Sequence, residues 1–451
     1  MLEKINHKSA PKEVVNALVS LYHQGKFDDV LSRSSVLIKE YPQTFILHNI
    51  IGAISFEKGH KEDAIKHFRK VIELRPHHPH AYNNLGAALI DIGEYEEAKS
   101  NLKKAIELQP DYAEAYNNLG NVYKEMEEYN QAISIYEKAI ELNPEYYEAY
   151  NNLGVVLGKN EQYEEAEKVL KQVIKLQPDF VEALNNLGSI LTCIEKYEEA
   201  KAILTRSIEI HPSNAEALSN LGDTYRKLHE YEQAIEHYKR AIQIKPNYYE
   251  ALNNMGLALT ELKKYSEAKN ILKEAIKINP KFAEAYNNLG NVYRKNQDFY
   301  KAIRYYRKVL RIDKNLAGVH NNLGNVLSLV GDNKSSIYHQ KLAVDLDASS
   351  VAFLQSLLFY INYSPNMSAE EIFEYYKLYD QRFGLPHKDK WKAFAQPKTP
   401  KSKLKIGYVS PDFKEHSMMR FLIPTLTHHD HDKFEIFAFA DLKKSDLISL
   451  K

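Results

Sequence analysis

Around Leu119 the apolar residues recur at helical spacing. Advancing about 100° per residue from Leu119, residues Tyr116, Gly120 and Tyr123 fall at about 60°, 100° and 40°, one apolar face that includes a glycine. Ala132 and Tyr136 belong to a second helix, which Pro144 stops before the next turn. The same pattern returns along the chain. Glycines stand at Gly52, Gly86, Gly120, Gly154, Gly188, Gly222, Gly256, Gly290 and Gly324. Alanines keep step from Ala64 and Ala98 to Ala302, and prolines from Pro42 and Pro76 to Pro280, every step being 34 residues. Counted from seven residues before each glycine, the units begin at residues 45, 79, 113 and onward to 317. A further, degenerate unit at 11–44 has Leu18 in the glycine's place.

Helix pairs on a 34-residue period are tetratricopeptide repeats. The expected fold is all-α, a right-handed superhelical solenoid of ten repeats at 11–350, with an N-terminal tail at 1–10 and capping helices at 351–384. A glycine inside a helix costs about 1 kcal/mol against alanine, so its recurrence at one position requires an offsetting contact. Close approach of the two helices of a unit, with Tyr116, Leu119, Tyr123 and Tyr136 around the glycine and Ala132, supplies one. Asp111 with Glu114, Asp179 with Glu182 and Ser213 with Glu216 have capping-box spacing and read as helix starts.

One recurring feature lies off the apolar face. Asn-Asn-Leu-Gly occupies 83–86, 117–120, 151–154, 185–188, 287–290 and 321–324, with Ser219-Asn220 and Asn253-Asn254-Met255 as close variants. On the same wheel Asn117 falls at about 160° and Asn118 at about 260°, both away from the core of their own repeat. Equivalent first helices stack side by side in a solenoid, so Asn84, Asn118, Asn152, Asn186, Asn220, Asn254, Asn288 and Asn322 should form one line. An amide both donates and accepts, and a row of amides can pair with the backbone of an extended or disordered protein segment whatever its sequence. Alternatively, asparagines of adjacent repeats bond to one another or to backbone; the two uses are compatible. A clamp for protein C-terminal carboxylates is disfavoured, because such clamps place lysines on this face.

Composition narrows the partners. The 60 Lys and Arg balance 60 Asp and Glu, so protein segments are expected rather than nucleic acid or a membrane surface. At 44% apolar the chain can bury a core. Cys193 is the sole cysteine, which excludes an internal disulfide and fits a cytoplasmic location. Met1 to Lys12 lacks the apolar core of a signal peptide, and the most apolar stretch, Val351 to Ile361, is too short to span a bilayer. His77-His-Pro-His80 and His428-His-Asp-His431 hold metal-ligand residue types, but one lies in an inter-repeat turn and the other just past a helix; no metal and no cofactor is expected.

From Val351 the beat is lost. Ser368 to Glu371 is a capping box that opens an amphipathic run to Phe383. Residues 385–403, rich in proline and lysine, read as a linker pinned by Trp391. Leu404 to Ser410 then reads as a strand, Met418 to Thr427 as a helix and Phe434 to Ala440 as a strand, a short βαβ unit. Ligands of open parallel sheets bind beyond the carboxyl ends of strands, which makes His416, in the loop after Ser410, a candidate site residue.

Leu404-Lys-Ile-Gly-Tyr-Val-Ser-Pro-Asp-Phe413, His416, Phe421-Leu-Ile-Pro424 and Phe434-Glu-Ile-Phe437 resemble the opening of the catalytic domain of the O-GlcNAc transferase and SPINDLY family. Members of that family also carry tetratricopeptide arrays with this asparagine ladder. The resemblance implies inverting transfer of GlcNAc or fucose from a nucleotide sugar to Ser or Thr hydroxyls of proteins, without a metal, on two Rossmann-like lobes. It makes His416 a candidate base or hydrogen-bond partner, with Ser417 where the family has proline. Residues 404–451 correspond to a truncated N-terminal part of that glycosyltransferase domain, and the lobe that grips the nucleotide sugar is missing from them. The expectation is a protein-binding solenoid of an O-GlcNAc transferase-like enzyme, inactive alone, which takes a nucleotide sugar only if a second polypeptide supplies the remaining lobe. A non-catalytic scaffold or adaptor is the alternative.

Overall fold

The computed structural model describes residues 9–390 and the strands at 404–410 and 434–440. They divide into two bodies, one ending at Ile372 and one beginning at Phe373. The first body is a helical array. Its opening pair is Lys12–His23 and Phe27–Glu40, and from Phe45 onward every first helix starts 34 residues after the last, at 45, 79, 113, 147, 181, 215, 249, 283 and 317. Numbered in chain order, these are repeats 1 to 10.

The turn inside each repeat explains why repeat 1 keeps step without its helical glycine. One residue per repeat takes a left-handed backbone: Gly25, Gly59, Gly93 and Gly331, and in the other six Glu127, Glu161, Glu195, His229, Lys263 and Gln297, at φ between 59° and 63°. Those ten positions are again 34 apart. A side chain there carries about 1–2 kcal/mol of strain that glycine avoids, which stacking of the flanking helices offsets.

The helical glycine makes room for one large side chain. A Cβ on Gly120 would lie 2.5 Å from Cε1 of Tyr136, and one on Gly86 2.5 Å from Cγ of Leu102. The close approach is therefore glycine against the residue sixteen positions on, rather than glycine against alanine as the sequence suggested. Ala98, Ala132, Ala166 and their equivalents are fully buried beside it. Successive first helices touch directly, whereas each second helix contacts the next repeat mainly through that repeat's first helix. The stack is thus tighter on its first-helix side, which carries the asparagines.

Three expected helix caps are displaced. Helices Ala113–Glu125 and Val181–Cys193 follow Tyr112 and Phe180, without a side-chain cap from Asp111 or Asp179. Helix Ala215–Lys227 is capped by Asn214, whose side chain accepts from the N–H groups of Glu216 and Ala217, and not by Ser213. An aromatic ring at the cap position gains more from burial than the roughly 1 kcal/mol a polar cap supplies. Tyr112 is buried, and Phe180 packs edge-on against Tyr147 with ring centroids 5.2 Å apart.

Val351–Ile361 closes the array with Leu354, Leu357, Leu358 and Ile361 buried. Helix Ala369–Tyr379 opens on the reciprocal box: Ser368 Oγ accepts from the N–H of Glu371 (3.1 Å), and the Ser368 N–H donates to Glu371 Oε2 (2.8 Å). Beyond it the expected capping helices end in a π turn (Asp380–Gly384), and a 3-10 turn (Leu385–Lys390) occupies the start of what the sequence presented as a linker; Trp391 and the rest of that segment lie outside the described residues. In the second body β1 (Leu404–Ser410) and β2 (Phe434–Ala440) pair in parallel, with Ile406 opposite Ile436. The crossover between them, residues 411–433, with His416 and the expected helix at Met418–Thr427, lies outside the described residues.

Candidate functional site

The two asparagines of each Asn-Asn-Leu-Gly have different tasks. The second donates across the repeat boundary to the first of the preceding repeat: Asn118 Nδ2 to Asn83 Oδ1 (2.9 Å), Asn152 to Asn117 (3.0 Å), Asn186 to Asn151 (3.0 Å), Asn288 to Asn253 (2.9 Å) and Asn322 to Asn287 (3.4 Å). Each rung links residues 35 apart, one more than the period. The first asparagine sinks into the joint between repeats, with Asn83, Asn117, Asn185 and Asn253 buried. There it spends its other groups as well. Asn83 and Asn253 donate to Glu114 Oε1 and Glu284 Oε1 of the following repeats, both at 3.0 Å. These glutamates, which the sequence presented as helix punctuation, are therefore acceptors for the ladder.

Of the residues marked in the sequence, Asn84, Asn118, Asn152, Asn186, Asn220, Asn254 and Asn322 are half-buried on the first-helix side, while Asn288 is buried. Asn118, Asn152 and Asn186 each give one N–H to a rung and are half-buried, with no further side-chain hydrogen bond among the described residues. The line is interrupted in the middle. Asn185 Oδ1 accepts from Ser207 Oγ at 2.5 Å, and no rung from Asn220 to it is found among the described residues. Ser219 has no amide to offer, and Asn254 turns to the carboxylate of Asp223, at 3.0 and 3.3 Å.

Asp223 was not singled out in the sequence, and it belongs to a second pattern. The residue after the helical glycine accepts a hydrogen bond from the large residue fifteen positions on: Tyr136 Oη donates to Asn121 (2.7 Å), Tyr306 Oη to Asn291 (2.7 Å), Tyr238 Oη to Asp223 (2.6 Å) and Gln340 Nε2 to Asn325 (2.7 Å). Where the large residue is Leu102, Leu170, Leu204 or Leu272, the partner position holds Ala87, Val155, Ser189 or Leu257, and no bond is needed. A buried hydroxyl is matched with an amide or carboxylate acceptor and a buried alkyl never is, a signal legible by pairing positions across the two helices. Burial pushes the Asp223 carboxyl above the usual aspartate range, although Tyr238 and Arg226 act against it.

Among the described residues no cluster of three or more His, Cys, Asp or Glu could hold a metal ion, and no helix is long and apolar enough to cross a membrane. His80 is engaged with the Tyr112 hydroxyl, Nδ1 to Oη 2.8 Å.

Tetratricopeptide-repeat family models match residues 77–145, 111–179, 145–213, 179–247 and 215–281 in overlapping windows, and further ones match 283–316 and 47–78. The chain belongs to the tetratricopeptide-repeat family. Such arrays are protein-binding solenoids built around an extended surface. The tetratricopeptide chain is also partly similar to curated proteins described as probable UDP-N-acetylglucosamine–peptide N-acetylglucosaminyltransferase SPINDLY. The Arabidopsis thaliana protein is 32% identical over 92 residues, 20% of this chain and 10% of that protein; the Oryza sativa subsp. japonica protein is 28% identical over 114 residues, 25% and 12%. The matched part thus spans about a tenth of the length of these relatives. Among solved structures, YrrB, described as a TPR protein with an unusual peptide-binding site, is 33% identical and covers 41% of this chain and 95% of its own, with a TM-score of 0.35.

Proposed function

We propose that the array binds extended protein segments along the asparagine ladder as the client-holding part of a protein O-glycosyltransferase. The observation that carries this is the unspent half of the outer amides of Asn118, Asn152 and Asn186. A rung consumes one N–H of Asn118, Asn152 or Asn186 and fixes the side chain, so the remaining N–H and Oδ1 are presented in a set orientation one repeat apart. A peptide backbone offers the complementary C=O and N–H in every residue, which allows binding with little regard to sequence. The partial similarity to SPINDLY proteins supports the finer reading, in which held segments receive a sugar on Ser or Thr. In that reading His416 assists the acceptor hydroxyl.

Replacing Asn118, Asn152 and Asn186 together by alanine tests the ladder. Removing three outer amides is expected to weaken capture of an unstructured 30-residue peptide, read by calorimetry, by at least about tenfold, with far-UV circular dichroism unchanged. Unchanged affinity with an intact fold would overturn the reading. Transfer is tested with radiolabelled UDP-GlcNAc and GDP-fucose on a peptide acceptor. Expected is transfer in the presence of a lobe that grips the nucleotide sugar, lost on His416→Ala.

A further inference from the structure

Between the first helices of repeats 5 and 6 lies a cavity of about 270 Å³ lined by Val155, Gly158, Tyr163, Asn186, Ser189, Ile190 and Cys193, among others. Its size sits just below the range of about 300–1,000 Å³ typical of small-molecule sites, and suits one amino-acid side chain. Two sequence features make the space. Gly158 occupies the place held by Ile90, Lys124, Thr192, Arg226, Thr260, Arg294 and Ser328 in other repeats. A Cβ there would lie 2.6 Å from Cδ1 of Ile190. And in repeats 5 and 6 the residue after the helical glycine is Val155 or Ser189, because Leu170 and Leu204 have no hydroxyl to satisfy. Ser189 is smaller than the Asn or Asp of repeats 4, 7 and 9, and Val155 puts an apolar side chain where those are polar.

We infer that this cavity is a side-chain pocket of the ladder, which takes a compact aliphatic residue, such as leucine or valine, from a segment bound along the asparagines. The inference rests on the ladder reading above. Asn186 belongs to both: its Nδ2 is fixed by Asn151 Oδ1 at 3.0 Å, and the same side chain lines the cavity. A backbone bonded to Asn186 therefore passes over the cavity mouth, where every second side chain of an extended segment points to one face. The walls from Val155, Ile190 and Tyr163 are apolar and fit an alkyl group. Lys159, also on the wall, reaches solvent and disfavours a cationic side chain. Val156 and Leu157, neighbours of Val155, are buried in the core and hold the wall in place.

The chain carries its own reporter. Cys193 is the only cysteine, it lines the cavity, and it is exposed to reagents in the free protein. The experiment uses the full chain and two synthetic 12-residue peptides, one of glycine and serine and one with leucine at alternate positions. Affinity is measured by calorimetry, and the rate at which Cys193 reacts with iodoacetamide by mass spectrometry. The leucine peptide is expected to bind about tenfold more tightly, the gain from removing one aliphatic side chain from water, and at saturation to slow alkylation at least fivefold; the glycine-serine peptide leaves the rate within about twofold. Ser189→Phe, which fills the cavity from the exposed side, should abolish the leucine preference and leave the glycine-serine affinity unchanged. Gly158→Leu, which fills it from the opposite wall, serves as a second variant, so that misfolding of either cannot decide the outcome. Two peptides binding equally, with equal alkylation rates, would overturn the pocket while leaving the ladder intact. No binding of either peptide, in a chain whose circular dichroism is normal, would overturn the ladder and the pocket with it.

Discussion

The hydroxyl of Tyr136 offers the sharpest test of how each repeat is held. Tyr136 is fully buried, and its hydroxyl donates at 2.7 Å to Asn121, which keeps partial access to water. Asn121→Ala removes the acceptor and strands a buried hydroxyl, a cost of about 1–3 kcal/mol. Tyr136→Phe removes the donor and leaves an amide that water can reach, which costs about 1 kcal/mol. The double substitution recreates the pair that repeat 2 already has, Phe68 with Ala53. It should therefore lie within about 1 kcal/mol of the parent, so the two changes couple by roughly 1–2 kcal/mol. Because a repeat array does not unfold in one step, the measurement is native-state hydrogen exchange of the amides of helices Ala113–Glu125 and Tyr129–Leu142, with the melting curve as a global check. Simple additivity, with the double mutant as costly as the sum of the singles, would refute the idea that hydroxyl and acceptor are chosen together.

Gly188→Leu should lower the melting temperature by several degrees, because its side chain collides with Leu204, which has no space to move; a melt superimposable on the parent's would contradict the packing register. Gln297→Gly should raise stability by about 1 kcal/mol by relieving a left-handed backbone at φ 61°, read by denaturant unfolding; no gain would mean the turn is unstrained. Acid should loosen repeat 10 before its neighbours. Burial and the neighbouring His320 lower the His339 pKa to about 4, below its ordinary 6.5, so the unfolded chain takes up the proton first and stability is lost as pH falls from about 6.5 to 4. With partial exposure discounted, about 1 kcal/mol is at stake, and His339→Gln should flatten that part of the melting-temperature profile.

The array was legible because three residue types mark one period, and the observed first-helix starts fall on the beat of Gly52 to Gly324. Less legible was anything that depends on a partner in another repeat. The helical wheel places Asn117 off the apolar face of its own repeat, yet Asn117 is buried, since the next repeat covers it; a single-helix projection has no neighbour in it. The same blindness hid the glutamates' role toward Asn83 and Asn253, and made Asp111, Asp179 and Ser213 look like caps when the chain seats an aromatic ring or Asn214 there. Asp223 escaped because it occurs once, and periodicity rewards only what recurs.

A rung that spans 35 residues in a chain of 34-residue units has a consequence for length. The bond forms only when two adjacent first helices start one period apart, so it checks local phase and is indifferent to how many units precede it. Excising or duplicating one whole unit between repeats 3 and 5 would restore each rung at the splice, whereas losing a single residue in a turn would break one rung and leave the others. The length of the array can thus change by one unit at a time, without new contacts having to be found. The ladder makes this solenoid a ruler graduated in repeats.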